Sequence, residues 1–246
     1  MLITSLDNKK IKLINSLKNT RNRKELGLFV VEGMHLVMEA YKNKVLKEVF
    51  VLEDSELEFK CDLEINYVTL NVMKKITNLN TPSNVIGICK TNSNNDINGN
   101  RLLLLDDIQD PGNLGTIIRS AKAFFVDTII LSPNTVDIYN DKVIRSTQGM
   151  FFNTNYSICD LEKIIPKLKK DGYLILGTDV NKGIDVKEIK TSKYALVMGN
   201  EGNGVKENIK NLCDKNLYIK MNGDCESLNV GVATGILLYE LWSNNE

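Results

Sequence analysis

From residue 102 onward the chain places short, unbroken apolar runs at intervals that leave room for a helix between neighbours. They are Leu102-Leu-Leu-Leu105, Thr128-Ile-Ile-Leu131, Tyr173-Leu-Ile-Leu176, Ala195-Leu-Val-Met198 and Leu217-Tyr-Ile-Lys220. A strand with one wet face alternates apolar and polar residues, whereas an unbroken run suits a strand covered on both faces. Helical periodicity fills gaps over 114–124, 160–170, 205–212 and 227–241. Strands alternating with helices predict an α/β fold with a mostly parallel sheet flanked by helices. Ligands of such sheets bind beyond the carboxyl ends of the strands.

The stretch Thr91-Asn-Ser-Asn-Asn-Asp-Ile-Asn-Gly-Asn100 holds a single apolar residue and cannot bury a face. It predicts a linker over 93–100 between a domain at 1–92 and a second at 101–246. In the first domain, 28–31, 45–52, 65–70 and 84–89 read as strands, and 7–17 and 32–41 as helices. A smaller amino-terminal α/β domain follows. The lone His35 lies in an apolar helical stretch and reads as a packed histidine at a core or domain interface.

Composition narrows the function classes. Hydrophobic residues at 43% and charged residues at 25% exclude a disordered or collagen-like chain. Five scattered cysteines with no Cys-x-x-Cys pair argue for a reducing compartment, and against disulfides or bound metal. The amino terminus lacks a signal-peptide layout, and every apolar run is broken before membrane-spanning length, so a soluble cytoplasmic protein is expected. The formal net charge is zero, yet residues 1–24 carry seven basic side chains against one acid. Such an end suits phosphate contacts, and equally a plain solvated helix face.

Three loops at predicted strand ends carry polar groups suited to chemistry. In Asp106-Asp-Ile-Gln-Asp-Pro-Gly-Asn-Leu-Gly115, Pro111 and Gly112 read as a tight turn and Asn113 as a helix cap, with Arg119 further along that helix. A helix amino end, an amide and a guanidinium together suit phosphate, although a capped helix with a surface arginine has the same pattern. Met198-Gly-Asn-Glu-Gly-Asn-Gly-Val205 sets Glu201 among glycines, and its spacing fits neither the dinucleotide fingerprint nor the P-loop. The third loop, 219–230, offers Ser227 as a natural cap and Asn229 in the first helical turn, ahead of small residues Gly231, Ala233 and Gly235.

In order and spacing these loops resemble the motifs of the SpoU/TrmH family of RNA ribose 2′-O-methyltransferases. The motifs stand here as 107–121, Leu196-Val-Met-Gly-Asn-Glu-Gly202 and 219–233, with Lys220 where the family usually has proline and Gly231 where serine is frequent. The stretch 21–33 looks like the family's separate substrate-binding domain. The resemblance implies a deep trefoil knot in the last third, a homodimer with active sites near the subunit interface, and S-adenosylmethionine as methyl donor. It implies cofactor contacts at Gly199, Ile219 and Leu228, with Met198, Gly204 and Met221 beside them. Arg119, Asn113, Glu201, Ser227 and Asn229 become the catalytic candidates, and Arg21, Arg23, Lys9 and Lys10 the RNA-binding ones. Arg119 matches the residue to which the family's catalysis is assigned, sometimes as general base; the high pKa of an arginine favours a cation that clamps phosphate and stabilises the developing alkoxide, or one that accepts the proton transiently together with that phosphate. The implied substrate is RNA, with 23S ribosomal RNA favoured over transfer RNA. A non-catalytic RNA-binding or ribosome-assembly protein of the same fold is the rival reading; it predicts loss of polar motif residues that are all present. A nicotinamide-dependent oxidoreductase fits less well, because the glycine spacing fails.

Overall fold

The computed structural model describes residues 2–92, 96–180 and 182–244 and resolves the strand–helix alternation into two sheets, each in its own unit. The first unit takes Met1–Ser93 and Asp137–Asn153, the second Asn94–Val136 and Thr154–Glu246. Residues 93–95 of the expected linker lie outside the described residues. Its remainder is no free tether. Thr128 Oγ1 donates to the Asn98 carbonyl, and the backbone amides of Asn100 and Arg101 donate to Asp127. Polar residues that cannot build a core can still be bonded into the neighbouring strand.

The first unit runs β1 (Leu2–Ile3), α1 (Lys9–Ser16), α2 (Thr20–Leu26), β2 (Leu28–Glu32), α3 (Met34–Lys42), β3 (Leu46–Leu52), β4 (Ile65–Val68), α4 (Leu70–Ile76) and β5 (Val85–Lys90). Its sheet order is β1-β4-β3-β5-β2, with β5 antiparallel to both neighbours. Helix α1 starts because Asn8 accepts from the Lys10 amide, and it buries Ile11 and Ile14. Helix α2 stops at Gly27, whose φ of 62° is the left-handed conformation glycine adopts without strain. Ile11, Ile14 and Leu17 meet Phe50, Val72, Ile86 and Ile88 in one apolar cluster.

The second unit opens with β6 (Arg101–Leu105), α5 (Pro111–Ala123) and β7 (Thr128–Leu131). The chain then supplies α6 (Asp141–Ser146) to the first unit before resuming with β8 (Tyr156–Ile158). There follow α7 (Leu161–Lys170), β9 (Leu174–Thr178), β10 (Tyr194–Met198), α8 (Glu207–Lys210), β11 (Lys215–Leu217) and α9 (Val230–Ser243). The six strands are parallel throughout, in the order β11-β9-β10-β6-β7-β8. Leu102, Leu104, Ile130, Ala195 and Val197 pack on Leu161, Ile165 and Ile209. Their alternates Leu103, Leu105 and Leu196 are buried as well, which is why these runs are unbroken. Each such leucine contributes roughly 1.5–3 kcal/mol by leaving water.

Two strand expectations shift. The run at 217–220 is strand only through Leu217, because beyond Thr178 its neighbour β9 offers no further ladder. Strand β8, with only three residues, carries too little pattern to be seen in the sequence.

Residues 137–153 read in sequence as part of the second domain, yet they pack in the first. Asp137 pairs with the buried Arg23, and Tyr139 and Phe151 stack on Phe29 at centroid distances of 4.7 and 5.8 Å. Local pattern does not say which core receives such a segment. His35, expected to be packed, is exposed, with Nε2 3.3 Å from the Gln148 carbonyl.

Candidate functional site in the second unit

In the register of β10 against β6, Met198 sits opposite Leu105, so the loops that follow these strands leave the sheet side by side. Loop 106–110 leads into α5. The expected cap at Asn113 is instead Asp110, whose carboxylate accepts from the Asn113 amide, and Pro111 with Gly112 begin the helix rather than a turn. Proline is pre-organised for the first helical position and has no amide hydrogen to leave unpaired. Asn113, released from capping, turns its side chain to other work.

Glu201 is the junction. Its carboxylate accepts from the backbone amides of Gln109 and Asp110 at 3.1 and 3.0 Å and from Asn113 Nδ2 at 3.1 Å. Asn113 Oδ1 in turn accepts from Asn229 Nδ2 at 2.8 Å. Asn229, not the expected Ser227, caps α9: its Oδ1 accepts from the amides of Gly231 and Val232. One hydrogen-bonded path therefore ties together all three loops. Partial burial pulls the Glu201 carboxyl upward, but the bonds from Asn113, Asp110 and Gln109 outweigh it and hold it below the usual glutamate range. Ser227 is exposed, and its carbonyl accepts from Cys225 Sγ.

Several participants were not singled out from sequence. Asn200 Nδ2 donates to the Asp107 carbonyl at 2.8 Å, while its Oδ1 accepts from the amides of Gly202 and Asn203. Ser132 donates to Asp107, and Lys206 pairs with both Asp107 and the buried Asp106. Burial raises the Asp107 carboxyl, but the Lys206 and Ser132 bonds more than offset it, leaving a net lowering. Only the Asp110-Pro111 pair carried a readable sequence signal, an acceptor placed just before a first-turn proline.

Gly199 is buried and closes loop 198–205: a Cβ there would lie 2.0 Å from the Gly204 carbonyl carbon and the Val205 nitrogen. Gly204 has φ +67°, and the Asn200 and Gly204 backbones bond each other in both directions. Met198 ends β10, buried. Ile219, Met221 and Leu228 are half-buried, and among the described residues their backbone groups have no hydrogen-bond partner. Free amides and carbonyls along loop 219–230 are groups that fit the edges of an adenosyl group. Arg119 is exposed on α5 and, among the described residues, makes no hydrogen bond or ion pair. No group of three or more His, Cys, Asp or Glu among the described residues could hold a metal, and no helix is long and apolar enough to cross a membrane.

The model of the SpoU rRNA methylase family matches residues 100–239, the span that carries every one of these loops. The chain belongs to that family. A second model, the MRM3-like substrate binding domain, matches residues 8–87. The chain is 34% identical over 243 residues to the 23S rRNA (guanosine(2553)-2′-O)-methyltransferase RlmP of Bacillus subtilis, covering 97% of this chain and 98% of that one. Among solved structures, an rRNA methyltransferase from Sinorhizobium meliloti superposes with a TM-score of 0.87 at 30% identity, over 98% of this chain and 96% of that one. The AdoMet-bound form of the Sinorhizobium meliloti rRNA methyltransferase gives 0.86 at 29% identity, over 98% and 97%. As a SpoU family member the chain is an S-adenosylmethionine-dependent RNA methyltransferase, with an α/β fold built on a parallel sheet.

Of the four RNA-contact candidates, all in the first unit, three have partners, and two of those are bonded into the unit's framework. Arg23 is 6% exposed and spends its donors on Asp137, Thr20 and the carbonyls of Leu17 and Lys18. Lys10 bonds Asn66 Oδ1 and pairs with Glu48. Arg21 is exposed and pairs with Glu25, and Lys9 is exposed with no partner among the described residues.

Proposed function

We propose that this chain methylates a ribose 2′-hydroxyl of ribosomal RNA, with large-subunit RNA as the substrate. The observation that carries this reading is the Glu201–Asn113–Asn229 path, which holds three loops together beside an unengaged arginine. A non-catalytic RNA-binding protein would have no need to preserve that path. When bound, S-adenosylmethionine supplies an electrophilic methyl on a positively charged sulfur. Gly199, Ile219 and Leu228 would hold it through backbone groups, with Met198, Gly204 and Met221 shaping the loops around them. Asn113 and Asn229 orient the ribose from the rim, and Ser227 lies in the same loop. Arg119 holds the adjacent phosphate and stabilises the oxygen as its proton passes to solvent water, a role that suits an always-charged guanidinium.

The family's architecture extends the reading. The last third of the chain forms a trefoil knot, and two copies pair through α9. The support is an exposed apolar stripe, Val232, Ile236 and Tyr239, spaced four and three residues apart on that helix. Gly231 and Gly235, the small residues noted in sequence, face Thr116 and Ser120 of α5 instead. Residues 1–92 serve as the RNA-binding domain, where Lys9 and Arg21 meet phosphate, and the enzyme works in the cytoplasm. Arg119→Ala is expected to abolish methyl transfer to unmodified 23S rRNA, with S-adenosylmethionine affinity within about threefold of the parent by calorimetry. Near-normal turnover in that variant would refute the assignment.

A further inference from the structure

We propose that Asp106 is a positioning residue that buckles the glycine loop 199–205, holding its entry and its exit at one fixed spacing so that the turn can receive the methyl donor. This rests on the assignment of that loop to S-adenosylmethionine. All the groups involved belong to the second unit. At the entry, the Asp106 amide donates to the Met198 carbonyl at 2.9 Å. At the exit, its carboxylate takes Lys206 twice: Oδ2 accepts from the backbone amide at 2.9 Å, and Oδ1 lies 3.3 Å from Nζ. One residue thus grips both ends of the loop, and it is buried while doing so.

The composition of the loop explains the need. With glycine at 199, 202 and 204, its backbone has little intrinsic preference for one shape. The reciprocal backbone bonds of Asn200 and Gly204 close its tip. Among the described residues no hydrogen bond joins Met198 to Lys206 directly, so the base of the loop is tied only through Asp106. Lys206 also pairs with Asp107, which keeps a left-handed φ of 57° although it is not glycine. Such backbone is strained, and the bonds from Ser132 and Lys206 to the Asp107 carboxylate hold it in place. Beyond the exit, Lys210 of α8 pairs with Asp179, just past β9. That second attachment keeps α8 on the sheet, so opening the buckle frees the loop rather than the helix.

Stability alone does not account for the buried carboxylate. Desolvating a charge is costly, and well-packed apolar residues often serve as well. What the carboxylate adds is two acceptors at a fixed separation, both aimed at donors of one residue.

The test uses the full-length protein and three variants: Asp106→Asn, Lys206→Met and the two combined. Asp106→Asn keeps the shape and removes the charge; Lys206→Met keeps the backbone amide and removes the ammonium. The apparent Kd for S-adenosylmethionine scales inversely with the fraction of loops at the right spacing, and in calorimetry each single variant should raise it at least about fivefold. The two groups form one clasp, so the combined variant should bind no more weakly than the worse single one. The product S-adenosylhomocysteine, which lacks the sulfonium charge, should lose affinity by the same factor. On unmodified 23S rRNA the KM for the donor should rise likewise, with kcat at saturating donor and the KM for RNA within about twofold of the parent. Without donor, protection of the Asn200 and Gly204 amides, relative to intrinsic exchange, should fall at least about fivefold while that of Leu103 holds. Parental donor affinity, losses that multiply, unchanged loop protection, or a loss confined to S-adenosylmethionine would each overturn the proposal; the last would mean that Asp106 acts on the sulfonium charge. Should Asp106→Asn not fold, Lys206→Met decides by itself. A parent protein whose loop amides gain no protection from bound donor would sink the assignment of the loop, and exchange in the donor-free variants would still judge the buckle.

Discussion

Glu201 shows how much one side chain among glycines can organise. It accepts from two backbone amides and one side-chain amide, all on the loop and helix that follow β6. Glutamine at this position keeps one acceptor oxygen and sets an NH2 against an amide hydrogen. Glu201→Gln should lower methyl transfer about 10- to 100-fold in single-turnover assays, while global stability, for so exposed a group, drops by only about 1 kcal/mol. The pH dependence has a definite sign. A carboxyl held below its ordinary value stabilises the loops above the usual glutamate range and loses that contribution as pH falls through its own lowered value. Protection of the Gln109 amide, taken relative to its intrinsic exchange rate at each pH, should therefore fall only on acidification below pH ~4, and a fall in protection between pH 6 and 8 would contradict it. Sequence singled out Glu201 because a carboxylate within a glycine loop has few uses. It could not name Asn229 as the cap, because Ser227 and Asn229 both have the right chemistry and only the path of the chain chooses between them.

At the scale of elements, the turn after β10 is the most constrained piece of backbone in the site. Gly199 leaves no space for a methyl group against Gly204 and Val205, which are backbone and cannot swing aside. Gly199→Ala should displace the loop, weaken S-adenosylmethionine binding beyond about tenfold in calorimetric titration, and leave the far-ultraviolet dichroism of the helices unchanged. The neighbouring element teaches a complementary lesson. Helix α5 begins at Pro111, earlier than its apolar periodicity at 114–124 suggests, because a first-turn Pro-Gly pair reads as a turn in isolation. Asp110 capping the helix frees Asn113, and that shift converts a plain cap into a link between loops.

For the molecule as a whole, the exposed stripe on α9 carries the prediction. Ile236→Asp should leave each protomer folded by dichroism and turn a dimer into a monomer in light scattering, with methyl transfer lost alongside. A variant that stays dimeric would remove the proposed interface. Fold class, most of the parallel strands and the polar residues Asn113, Glu201 and Asn229 were legible in the amino-acid sequence, because unbroken apolar runs and loop chemistry are local properties. Three matters were decided only in three dimensions. Residues 137–153 joined the amino-terminal unit, Arg23 and Lys10 turned from surface cations into bonded supports, and Asn113 exchanged capping for bridging. Each depends on which residues, remote in the chain, come within hydrogen-bonding reach. A local pattern specifies what a side chain can do, and packing selects the partner with which it does so.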